Sequence, residues 1–153
     1  MRDVLGRGAG SYSIVMVGYA AGSIAGGVVL ARTTIRRKAL AGVLAWVVYL
    51  PAYGLMAFAG SLPIVVAGAF AAGLGQSSSL VLLNAAAQED VPDDLLGRVM
   101  GLISLVHRGA HATGLLFVAP LFAIVDPRAV FAASAVAIPL IAVAGAARAV
   151  RQR

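Results

Sequence analysis

From Ala39 to Gln88 the chain runs for 50 residues without a charged side chain. A hydrocarbon core of about 30 Å takes about 20 residues of helix, so this stretch is too long for one crossing and suits two. The break falls at Gly60-Ser61-Leu62-Pro63, because Gly-Ser ahead of Pro ends a helix and Pro can open the next one. The remaining charges follow the same logic. They lie at 2–7, 32–38, 89–98, 126–128 and 148–153, with Arg108 the one exception. The gaps between them predict spans at about 11–31, 39–59, 63–86, 97–124 and 128–147. The expected fold is all-α, a polytopic membrane helical bundle of about five transmembrane helices, with residues 1–153 forming a single transmembrane domain.

Composition agrees and narrows the function classes. The chain is 61% hydrophobic and 12% charged, with mean hydropathy +0.94, against soluble averages of about 45–50% apolar and 25% charged. It contains no cysteine, which excludes disulfides and thiolate metal sites. No cofactor or metal is expected. The opening MRDVLGRGAG lacks the layout of a cleaved signal peptide, so targeting is expected to run through the spans. A net charge of +6 raises nucleic acid as a partner, but the cations sit beside hydrophobic runs rather than along one soluble face. The lipid bilayer is the expected partner, and nucleic acid is not.

Three spans carry residues that lipid alone does not explain. The first holds Gly18, Gly22 and Gly26, a doubled GxxxG stripe that lets another helix backbone approach closely. The third holds Gln76, Ser77, Ser78, Ser79, Asn84 and Gln88. Ser77, Asn84 and Gln88 share a helical face with Gly73, either lining a cavity or bonding neighbouring helices. The fourth, Val99 to Ile124, reaches about 39 Å as a helix and carries His107, Arg108 and His111 near its middle. A charged side chain at the bilayer centre costs at least about 3 kcal/mol on insertion scales, so it faces a protein interior or a wet cavity. Alternatively the trio snorkels to the membrane edge or locks helices together. An i, i+4 His pair could ligate zinc, but no third ligand is evident.

By contrast, Trp46, Tyr49 and Tyr53 in the second span are expected as lipid-facing or interfacial aromatics, with ligand stacking as the alternative role. Asp93 and Asp94 suit the start of the fourth span, where carboxylates meet the positive end of the helix dipole, and Asp94 can pair with Arg98. Asp126-Pro127-Arg128 reads as a stop followed by a capped start. Pro139 should kink or loosen the fifth span.

Five spans put the termini on opposite sides. Placing the C-terminus inside gives eight cytoplasmic Lys and Arg residues, at Arg32, Arg36, Arg37, Lys38, Arg98 and the tail, against three outside, at Arg2, Arg7 and Arg128. The positive-inside rule therefore favours a cytoplasmic C-terminus. An outside N-terminus without a preceding span hints at missing upstream sequence.

Two phrases carry a family resemblance: GYAAGSIAGGVVLAR at 18–32 and QEDVPDDLLGRVMGLISLVHRGAHATG at 88–114. Together they resemble the eighth helix, and the loop and eleventh helix, of major facilitator superfamily transporters, within the enterobactin-exporter-like drug and siderophore efflux branch. Residues 27–38 resemble the family's loop signature but carry Ala31 at its acidic position. The resemblance covers helices eight to twelve, part of the C-terminal half, and implies a bacterial inner-membrane secondary transporter. Such a transporter exports small organic molecules, by proton antiport, as two halves rock about a midplane site. It implies cavity-facing roles for spans one, three and four. Arg108, His107, His111, Gln76, Ser77 and Asn84 are the expected substrate, cavity or coupling residues. Arg32, Arg36, Arg37, Asp93, Asp94 and Arg98 are expected at the cytoplasmic gate and loops. The implied partners are a small-molecule substrate and the missing N-terminal half or another copy. On this reading the chain is a truncated part that need not transport alone. The alternative is a small accessory membrane protein that oligomerises through Gly18, Gly22 and Gly26. An intramembrane enzyme finds no HExxH, P-loop or Ser-His-Asp order in support.

Overall fold

A computed structural model of the protein describes residues 9–151. It is all-α. The elements are α1 (Ala9–Ala31), α2 (Lys38–Leu44), a 3-10 turn (Ala45–Val48), α3 (Tyr49–Ala57), α4 (Leu62–Asp90), α5 (Asp93–Ile124) and α6 (Pro127–Arg151). Five stretches are long and apolar enough to cross a membrane, with α2, the 3-10 turn and α3 forming the second as Lys38–Ala57.

Local chemistry explains where each helix starts. Ser61 is extended at φ −149° and ψ 156°, and Pro63 follows in the first turn of α4, where its missing N–H costs nothing. Asp93 and Asp94 occupy the first turn of α5. Ahead of α6, Asp126 Oδ1 accepts a 2.9 Å hydrogen bond from the main-chain N–H of Arg128. The second span departs from the single helix expected at 39–59. Pro51 has no N–H for the Val47 carbonyl, and its ring crowds that oxygen. The turn before it is 3-10 rather than α. In α6 the helix continues through Pro139 as far as Arg151.

Packing radiates from α4, which contributes Val65, Gly68, Ala69, Ala72, Gly73, Gly75, Ser79, Leu82 and Ala86 to the interior. Lipid tails are as apolar as leucine, so helices associate here by close contact and interhelical hydrogen bonds rather than by escape from water. Small residues supply that contact. The α1 glycines lie beside a parallel row on α4: Gly18 by Val66, Gly22 by Phe70 and Gly26 by Leu74. A Cβ at Gly18 would stand 2.8 Å from Val66 Cγ1, and one at Gly26 would stand 2.9 Å from the Leu74 oxygen. At Gly22 it would overlap the Phe70 carbonyl, and at Gly73 the Tyr19 carbonyl. The Ser23 hydroxyl contacts two carbonyls at this crossing, Tyr19 at 3.1 Å and Gly73 at 3.3 Å.

On its other side α4 meets α2 and α3 running antiparallel. Gly42 faces Leu83, Gly75 faces Ala45 and Val48, and Gly68 approaches Ala52 so closely that a Cβ would lie 2.7 Å from its oxygen. Helix α6 packs in turn across α2 and α3. Helix α5 is the exception, because none of its described side chains is buried. It rejoins the others at Phe122, whose ring lies 6.3 Å from that of Phe131 on α6.

Candidate functional site

The basic trio sits at the centre of the least covered helix. Arg108 stands near the middle of α5, and His107, Arg108 and His111 are all exposed. Ser104, His107 and His111 share one face at helical spacing, with Arg108 beside them. Among the described residues the trio makes no ion pair; the ion pair found there is Lys38 with Glu89.

The polar residues of α4 point elsewhere and do not join the trio. Gln76 Oε1 accepts a 2.9 Å hydrogen bond from the Tyr49 hydroxyl, and Ser79 Oγ accepts one of 2.6 Å from Trp46 Nε1. Ser77 faces α1, its Oγ 3.9 Å from where a Gly27 Cβ would stand. Asn84 is half-buried further along the helix. Gln76 and Ser79 thus bond a neighbouring helix. The same bonds correct the expectation of lipid-facing aromatics. Tyr49 is buried, with Trp46 and Tyr53 half-buried beside it, because a Gln and a Ser inside an apolar bundle need donors and the indole and phenol supply them.

These rings belong to a continuous aromatic line. Trp46 stacks on Tyr49 at 5.2 Å, Tyr49 meets Tyr53 edge-on at 5.0 Å, and Tyr53 lies 5.7 Å from Phe131. The line ends at an open-mouthed cavity of about 480 Å³ bordered by α1, α3, α4 and the corner between α5 and α6. Tyr12, Met16 and Tyr19 face it from α1, and Tyr53 and Met56 from α3. Arg128 is the single charged residue among the described residues of its wall. Sequence reasoning missed this hollow, although a signal was present. Tyr12, Met16 and Tyr19 repeat at offsets of four and seven, and so do Tyr49, Tyr53 and Met56. Two stripes of aromatic and thioether side chains at that spacing mark two faces built to meet.

At the opposite end, a second hollow of about 360 Å³ gathers Arg36, Arg37 and Lys38 with Glu89 and Asp90. Two of the expected gate residues, Arg36 and Arg37, are thus brought to the end of α4. Asp93, Asp94 and Arg98 lie exposed on the first turns of α5, and Arg32 is exposed just past α1. Asp94 and Arg98 do not pair, a correction to the expected i, i+4 contact; both are exposed, where solvation rivals so weak an attraction. No cluster of metal-ligating side chains occurs among the described residues.

Comparison with protein-family models, curated proteins and solved structures gave no match.

Proposed function

We propose that the chain is part of a secondary active transporter of the major facilitator type, exporting small organic molecules by proton antiport. Its helices lie in a bacterial cell membrane, with the C-terminus in the cytoplasm. The observation that carries this reading is the place of Arg108: mid-length on a membrane-length helix, exposed, and without a carboxylate partner among the described residues. At about 1.5 Å per residue, some 23 Å of helix separates it from either end of α5. A cation held there needs a counter-charge. Among the described residues acidic side chains occur only near helix ends, so the charge comes from an anionic substrate group or from a carboxylate on another part of the transporter. His107 and His111, which share the exposed side of this helix with Arg108, are the residues proposed for the coupling step. Transporters with a midplane site between two rocking units present such a face to the cavity, and the resemblance at 88–114 assigns this helix there.

The accessory-protein alternative asks the stripe Gly18, Gly22 and Gly26 to serve a second partner. All three are buried against α4. The test is efflux of carboxyfluorescein, an organic anion, from cells carrying the transporter that contains these helices. Arg108→Ala at unchanged expression should abolish it, and undiminished efflux sinks the assignment.

A further inference from the structure

We infer that the cavity at the Arg128 end is a binding site for a hydrophobic organic anion: an apolar, preferably aromatic body carrying one carboxylate or sulfonate. It is separate from the Arg108 face, and it stands or falls independently of the transport reading.

Size comes first. About 480 Å³ lies within the range of about 300–1,000 Å³ typical of small-molecule pockets. The wall is chemically two-part. Met16, Met56 and Phe122 give an adaptable apolar surface, since thioethers fit irregular shapes and pack well against rings. Tyr12, Tyr19 and Tyr53 add ring faces, and among the described residues their hydroxyls make no hydrogen bond to protein. They are therefore available as donors to a guest.

Charge selects the sign of that guest. Arg128 is exposed at the mouth, and the hydrogen bond found for its guanidinium is a long one, 3.5 Å, from Nη2 to the Ala59 carbonyl. A guanidinium has five N–H donors in a fork that fits a carboxylate in bidentate fashion, so most of this one's capacity is unspent. The neighbouring carboxylate, Asp126, takes the Arg128 main-chain N–H and is not on the cavity wall. Aromatic walls alone would also suit an organic cation. A guanidinium at the entrance, with no acidic side chain among the described residues of the wall, disfavours one. Acid head at Arg128 and apolar body among the tyrosines and methionines is the pose that satisfies both parts.

Two sources share this chemistry, a free amphipathic acid and an anionic lipid. The full chain in phosphatidylcholine nanodiscs, irradiated with 4-benzoylbenzoate, distinguishes them. The photoexcited ketone of this aromatic acid attacks C–H bonds beside a thioether, so adducts are expected on Met16 or Met56. Labelling should fall at least tenfold with Arg128→Ala or with the neutral amide of the probe. It should persist with Arg128→Lys and with Arg148→Ala at the other end. Unchanged Trp46 emission and elution volume certify that Arg128→Ala is folded. Loss of adducts when phosphatidylglycerol is added identifies the guest as an anionic lipid; their persistence identifies a free acid. Equal labelling by acid and amide, unaffected by Arg128→Ala, overturns the proposal.

Discussion

Gly22 and Gly73 mark the crossing of α1 and α4, each pressed against a carbonyl of the other helix. Backbone oxygens cannot swing aside as a side-chain tip can, so Gly22→Leu must push the two helices apart. Overpacking in a tight interior costs about 1–3 kcal/mol, and the thermal midpoint in detergent should drop accordingly. Gly145→Ala, where a Cβ meets nothing within 4 Å, should leave it unmoved; equal loss at both sites would contradict the packing described. The Trp46–Ser79 bond is a smaller matter. Interhelical hydrogen bonds in membranes average about 0.6 kcal/mol, so Ser79→Ala should be mild in stability yet shift the emission of the chain's one tryptophan. The glycine stripe was readable from sequence because only small side chains repeat there. The inward turn of Trp46 and Tyr49 was not, since a lone aromatic satisfies a membrane interface and a polar partner equally well until the partner helix is in place.

At the level of the helix, α4 and α5 are opposites. Both are rich in polar groups, but α4 spends Gln76 and Ser79 on its neighbour, whereas α5 keeps Ser104, His107, Arg108 and His111 uncovered. The sequence contains no cysteine, so single cysteines report this directly. In detergent, Ser104→Cys should react with a maleimide at least tenfold faster than Ser79→Cys, and equal rates would mean that α5 is covered. Charge gaps were enough to set out five spans, since a run of apolar residues between charge clusters admits little else. The same gaps could not show the 3-10 turn at Ala45–Val48, which depends on Pro51 acting four residues upstream. Nor could charge gaps show the cavity, whose signal lies in the matched spacing of Tyr12, Met16 and Tyr19 with Tyr49, Tyr53 and Met56.

For the whole molecule, the turns sort into two ends. Lys38 pairs with Glu89, joining the start of α2 to the end of α4, while the Arg128 side chain reaches the Ala59 carbonyl, joining the turn after α3 to the start of α6. This alternation is what five crossings require. The two ends differ in basic charge: Arg32, Arg36, Arg37, Lys38 and Arg98 belong to the first, Arg128 to the second. Lys and Arg near span ends resist translocation, so the first end is expected in the cytoplasm. In intact spheroplasts an impermeant maleimide should label Gly60→Cys and spare Thr34→Cys until the membrane is opened. The reverse pattern would invert the molecule, and labelling of both would break the five-span arrangement. Replacing Arg36, Arg37 and Lys38 with glutamine removes three of the five basic residues named at the first end. If charge sets the orientation, that triple change should yield a mixed population in which both cysteines label in part. If helix packing around α4 sets it instead, the pattern should hold.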